Sequence, residues 1–169
     1  FGFLGPNGAG KSTTIRILLG LLPVPKGQVL LHGMDLGDSR IDILRQTGAL
    51  IEMPTIYRHL SGHDNLEMYR RMVQAPKSRI AEVLQVVGLS QDAHRKTKEY
   101  SLGMSQRLGI ALALVTDPEL LILDEPTNGL DPSGIREVRE LILRLNRDFG
   151  KTIFLSSHLL SEIEKCATE

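Results

Sequence analysis

The chain has 169 residues, 41% hydrophobic and 24% charged, proportions ordinary for a soluble globular protein that make one compact α/β unit the default. Its 20 basic residues balance its 20 acidic ones, which excludes a global field that would draw the protein onto nucleic acid or an anionic membrane. A single cysteine, Cys166, excludes an internal disulfide and fits a reducing cytosolic setting; no apolar run approaches the roughly 18 residues of a spanning helix, so any membrane involved is spanned by another chain.

Only Phe1 to Leu4 precede a glycine-rich loop, barely enough for the strand such a loop must follow, and no methionine opens the chain. The sequence is therefore read as a fragment, truncated at both ends. Lys11 to Leu22 is predicted as a helix from the spacing of Ile15, Leu18, Leu19 and Leu22, stopped by Pro23 to Gly27. Gln28 to Leu31 reads as a short strand, Asp38 as the cap of a helix reaching about Gln46, and Ala49 to Ile51 as a buried strand. From Ser61 to about Lys98 only helical patterns occur: Asp64 to Val73, then Pro76 to Val87 closed by Gly88, which predicts an all-helical subdomain over residues 61–98. A helix over Gly103 to Val115 precedes the continuous apolar run Leu120 to Leu123, the pattern of a central parallel strand covered on both faces. Pro132 to Arg147 reads as a helix, Thr152 to Leu155 as a strand, and a last helix starts at about Leu159. Strands alternating with helices predict a mostly parallel sheet with right-handed crossovers.

Three motifs carry chemistry. The loop Gly5, Pro6, Asn7, Gly8, Ala9, Gly10, Lys11, Ser12, continuing to Thr13, fits a phosphate-binding loop: glycines let backbone N–H groups face phosphates, Lys11 reaches the β and γ phosphates, and the Ser12 hydroxyl is a ligand for Mg²⁺. The apolar run Leu120 to Leu123 ends in Asp124 and Glu125, at the sheet edge where ligands of such folds bind. One acid suits Mg²⁺ and the next suits a general base for an attacking water. Alone, such a pair is usually a solvated strand end; the glycine loop is what changes its reading. Ser101 and the amides after it stand at a helix N-terminus, which by itself marks only a capped helix.

The order of glycine loop, Ser101-Leu102-Gly103-Met104-Ser105-Gln106, Leu123-Asp124-Glu125-Pro126-Thr127, Gly129-Leu130-Asp131 and Ser157-His158 resembles the nucleotide-binding domain of ABC transporters, over nearly the whole chain. The resemblance implies a P-loop NTPase-type α/β fold, ATP and Mg²⁺ as ligands, and ATP hydrolysis with Glu125, His158 and Lys11 as catalytic residues. It makes Ser101, Gly103 and Gln106 a signature, in which Ser101 and Gly103 cap the γ phosphate on a facing subunit. Asp131 couples the two sites across that homo- or heterodimer, and His158 is a switch residue at the γ phosphate. It also implies membrane-embedded permease subunits as partners, placement at the cytoplasmic face of the cell membrane, and an adenine-stacking aromatic located before Phe1. Leu102 departs from the family, which usually has glycine there, and Glu52 stands where glutamine is usual. Its carboxylate suits Mg²⁺ or water at least as well as an amide but adds negative charge near the phosphates. The segments Gly48 to Pro54, Asp64-Asn65-Leu66 and Ser101 to Met104 resemble, more narrowly, the bacitracin-resistance and lantibiotic-immunity branch of exporters.

Other readings carry less. His59 and His63 lack a helix-borne glutamate between them and make a poor zinc pair, and His94 to Lys98 lacks the interleaved aromatics of a nucleic-acid surface. A soluble ABC-type ATPase acting on ribosomes or DNA is the alternative from another class. Chromosome-type members place long coiled coils where this chain has a short interval. A simple nucleotide kinase leaves Ser101 to Gln106 unexplained.

Overall fold

The computed structural model describes residues 1–166. Four strands, β1 (Gly2–Leu4), β4 (Thr47–Leu50), β5 (Leu120–Asp124) and β6 (Thr152–Ser157), form one sheet in the order β1-β6-β5-β4. Every pairing in it is parallel. Two further strands, β2 (Leu30–Leu31) and β3 (Met34–Asp35), make a separate antiparallel hairpin. The helices are α1 (Lys11–Leu18), α2 (Leu36–Arg45), α3 (Gly62–Val73), α4 (Ser78–Val86), α5 (Leu102–Leu114), α6 (Pro132–Arg147) and α7 (Leu160–Cys166).

Strand β5 explains the layering. Leu121, Ile122 and Leu123 are each at most 1% exposed, and because successive side chains alternate faces, Leu121 and Leu123 enter one core while Ile122 enters another. The smaller core is Ile122 against Ile15 and Leu19 of α1; the larger holds α5, α6 and the helical segment, with Leu66, Ile80, Val83 and Leu84 joined to Leu108 and Leu121. Gly48 permits the close approach of β4 to α5: a Cβ there would lie on the Ala113 carbonyl oxygen and 2.8 Å from Leu121 Cδ2.

Several element ends differ from the predicted ones, each for a local reason. Helix α1 stops at Leu18 instead of Leu22: Gly20, at φ +64°, donates to Ile17 O and Leu21 donates to Arg16 O, a Schellman termination that leaves Leu21 and Leu22 exposed. The strand predicted at Gln28 to Leu31 shrinks to Leu30–Leu31 and folds back through His32 and Gly33, both at positive φ, onto β3, which the sequence reading missed. Helix α2 is capped by Asp35, whose carboxylate accepts from Gly37 N–H, and not by Asp38; Ser39, with φ −124°, interrupts it after the first turn. Strand β4 lies earlier than Ala49 to Ile51, at Thr47–Leu50. Helix α3 starts at Gly62, where Ser61 Oγ accepts from Asp64 N–H at 3.0 Å and donates to its carboxylate at 2.7 Å. Helix α6 spans the predicted Pro132–Arg147, and between β4 and α5 lie α3, α4 and two 3₁₀ turns, with an isolated antiparallel bridge between Ser61 and Lys96.

The register gathers the chemistry. Leu4 pairs with Ser157, Asp124 with Ser156, and Leu50 with Leu123, so the chain leaves β1, β6, β5 and β4 at one edge of the sheet. Those four exits carry Gly5 to Ser12, His158, Glu125 and Glu52. Crossover topology thus brings together residues up to about 150 positions apart.

Candidate functional site

The glycine loop turns through two residues that need left-handed backbone, Gly8 at φ +83° and Gly10 at φ +92°. Gly10 is the N-cap of α1 and offers no side-chain acceptor, so the first-turn amides are left for another partner. Gly5 N–H donates to Ser157 O at 3.3 Å, tying the start of the loop to β6. Pro6, Asn7, Gly8, Ala9 and Thr13 are exposed. Lys11 is the buried member, 6% exposed; its ammonium donates to Gly5 O at 2.7 Å and Pro6 O at 3.2 Å.

Glu125 is the junction of the site. It sits at φ +48°, a conformation uncommon for a residue with a side chain, and its N–H donates to Ser156 Oγ. Ser156 Oγ in turn donates to Asp124 Oδ1 at 2.5 Å, so one hydroxyl orients both acids. Glu125 Oε1 lies 3.2 Å from Lys11 Nζ as an ion pair without hydrogen-bond alignment, and Oε2 is 2.7 Å from His158 Nδ1. Asp124 is fully buried, and its Oδ2 has no hydrogen-bond partner among the described residues. Ser156 was missed from sequence; its signal is the pair Ser156-Ser157 that closes the apolar run Ile153 to Leu155 just before His158.

Ser12, Glu52, Met53, Gln106, Asp124, Glu125 and Asn128 line a cavity of about 200 Å³. A larger cleft of about 570 Å³ lies between α3 and α4, but it collects neither the loop nor the acids, so chemistry and not size marks the site. Gln106, 3% exposed, belongs to this chain's own cavity wall, whereas Ser101 and Gly103, from the same motif, do not. Ser101 Oγ caps α5 by accepting from Met104 N–H, and Asp131 caps α6 by accepting from Gly134 N–H at 3.2 Å. These two helix starts adjoin: a Cβ on Gly103 would lie 3.8 Å from Gly134 Cα, and one on Gly129 3.4 Å from Leu102 Cδ2. The predicted residues therefore fall into two groups, Lys11, Ser12, Glu52, Gln106, Asp124, Glu125 and His158 around one centre, and Ser101, Gly103 and Asp131 on a second, separate patch.

Glu52 stands at the cavity rim with φ +56°, its Oε1 2.5 Å from Arg16 Nη2 of α1. Pro54, two residues on, packs where Gly109 of α5 has no side chain: a Cβ there would be 2.6 Å from Pro54 Cβ. That glycine seats the loop carrying Glu52 against α5. Among the described residues no three His, Cys, Asp or Glu side chains converge as a self-sufficient metal site, and no helix is long and apolar enough to cross a membrane.

Residues 1–128 match the family model described as ABC transporter. The chain is 52% identical to the uncharacterized ABC transporter ATP-binding protein YhcH of Bacillus subtilis (strain 168), over 97% of this chain and 54% of that protein. It is 50% identical to the bacitracin transport ATP-binding protein BcrA of Bacillus licheniformis, over 98% and 54%. Against the lantibiotic transport ATP-binding protein SrtF of Streptococcus pyogenes it is 48% identical, over 99% and 71%. Its fold superposes, at a TM-score of 0.86 and 27% identity, on cbiO1 from Clostridium perfringens, part of the ABC transporter complex cbiONQ, covering 98% of this chain and 69% of that one. The chain spans about half the length of YhcH and BcrA, 54% of each.

Proposed function

Because this chain belongs to the ABC transporter family, we propose that it binds ATP with Mg²⁺ at the carboxyl edge of the sheet and hydrolyses it to drive partner membrane subunits. The carrying observation is the setting of Glu125: one carboxylate oxygen beside Lys11, the other on His158, and Asp124 with a bare buried oxygen next to it.

A buried carboxylate oxygen without a partner is costly, and a hard divalent cation is the partner its chemistry suits. Asp124 and the Ser12 hydroxyl would hold Mg²⁺, which when bound neutralises phosphate charge and fixes the orientation of the phosphates. The free amides of the glycine loop and α1 bind the phosphates, and Lys11 exchanges the carbonyls of Gly5 and Pro6 for phosphate oxygens. Glu125 orients water and accepts its proton; His158 holds the opposite oxygen of that carboxylate and reaches the γ phosphate. Catalysis here is positioning and electrostatics.

The separate patch of Ser101, Gly103 and Asp131 supports a composite site: Ser101 and Gly103 of one subunit cap the nucleotide of a second ATP-binding subunit, identical or related, and Asp131 couples the two. Residues 61–98 act as a helical subdomain facing the permease. In this reading the subunit sits at the cytoplasmic face of the membrane and powers export of a peptide antibiotic; the names of BcrA, a bacitracin transport protein, and SrtF, a lantibiotic transport protein, support a cargo of that class, as do the motifs shared with that branch. Purification of the full-length protein with its bound partners tests the assignment. Co-purification of a membrane permease together with Mg²⁺-dependent ATP hydrolysis is expected; recovery of ribosomes or DNA in its place overturns the transport reading.

A further inference from the structure

Three acids line the candidate cavity, Asp124, Glu125 and Glu52, and the proposed ligand is itself a polyanion. Glu52 differs from the other two in its surroundings. Asp124 and Glu125 are shielded and oriented by Ser156, Lys11 and His158, while the Glu52 side chain is 61% exposed on a left-handed residue of the loop leaving β4. Among the described residues its charged partner is Arg16, at 2.5 Å.

Arg16 lies on α1, the helix that also presents Lys11 and Ser12, yet it is not part of the cavity wall. The pair therefore ties the Glu52 carboxylate, at the rim of the cavity, to a cation on the flank of α1. With side-chain exposures of 40% and 61% the pair is well solvated, so it adds little to folding stability. Its effect falls instead on charge near the ligand, where one carboxylate a few ångströms closer to phosphate shifts affinity severalfold even at water-like screening.

We propose that Arg16 is a positioning residue for Glu52, holding the third carboxylate of the site against a cation on α1 so that its negative charge is offset where ATP meets the cavity. The inference rests on the reading of this cavity as the ATP site. It accounts for how a chain with glutamate at position 52 accommodates a triphosphate: the compensating cation is supplied by the phosphate-loop helix itself.

A double-mutant cycle in the full-length protein tests it, with equilibrium ATP binding as the readout, measured by displacement of a fluorescent nucleotide in Mg²⁺ and again in EDTA. Arg16→Met should weaken ATP binding about threefold to tenfold in the presence of Glu52, and less than about twofold in the Glu52→Gln background. Arg16→Lys should stay within about twofold of wild type, and the loss in Arg16→Met should shrink at high salt. Thermal unfolding midpoints close to wild type for all variants confirm that folding is intact. Equal losses with and without Glu52, or no loss at all, overturn the role of Arg16 alone. Failure of the wild-type protein to bind ATP overturns the site reading along with it.

Discussion

His158 and Glu125 meet across the carboxyl edge of the sheet, with Nδ1 of the imidazole 2.7 Å from Oε2 of the carboxylate. They come from loops after neighbouring strands, and Ser156, two residues before His158, holds the backbone of Glu125. The carboxylate is therefore oriented from both sides, by Lys11 at Oε1 and by His158 at Oε2.

Glu125→Gln preserves the shape of this junction but removes the proton acceptor. In the full-length protein we expect ATP binding to persist while steady-state hydrolysis falls about 10²- to 10⁴-fold. Undiminished turnover would rule out Glu125 as the base. Replacing His158 with alanine should lower kcat more than nucleotide affinity, since it frees Oε2 and removes the reach to the γ phosphate while the glycine loop that holds the other phosphates stays intact.

Lys11→Ala removes the cation that pairs with Glu125 and is to reach the phosphates. ATP affinity should drop about tenfold to a hundredfold, the usual worth of charge-assisted hydrogen bonds, and ATP-dependent dimerisation should weaken with it. Ser101 lies on a separate patch, so mixed dimers of Lys11→Ala and wild-type subunits should retain one competent nucleotide site. Nucleotide stoichiometry in such mixed dimers is the measurement that decides.

Gly48→Ala places a methyl group on the Ala113 carbonyl oxygen and against Leu121 and Pro118. Backbone on one side and the core strand on the other leave no room to yield, so we expect destabilisation of about 1–3 kcal/mol, measured by denaturant unfolding. An unchanged midpoint would show that β4 and α5 separate more easily than their packing indicates.

Glu67 on α3 accepts from Arg70 and Arg71, and these hydrogen bonds, Arg70 first, pull its carboxyl from 4.5 down to about 2. A folded-state value below the unfolded one means the stabilisation is fully present above about pH 4.5 and is lost as pH falls through about 2. Glu67→Gln should therefore be less stable than wild type at pH 6, with the difference closing as pH drops toward 2. Thermal midpoints across that range provide the check, and a gap that stays constant with pH would contradict the ion-pair account.

What the sequence determined by itself was chiefly local. The glycine loop, the cap Ser101, the closing Gly88 and the whole of α6 were legible because caps, positive-φ glycines and helical periodicity act within a few residues. The fully apolar Leu120 to Leu123 marked a strand buried on both faces, as its burial bears out. The α1 terminus at Gly20 and the β2–β3 hairpin turn at His32-Gly33 were also local, but their positive-φ signals were overridden by the leucine spacing and by the weakness of two-residue strands.

Long-range placement belonged to the tertiary structure. Only the parallel register, Asp124 against Ser156 and Leu4 against Ser157, brings Lys11, Glu125 and His158 within contact of one another. Ser156 as the hydroxyl that orients both acids, Gln106 on the cavity wall while Ser101 stands outside it, and the capture of Glu52 by Arg16 have no signature in residue spacing. The physical reason is that a motif specifies which groups are available, whereas the direction of each side chain is set by the strand or helix that carries it and by whatever packs against it.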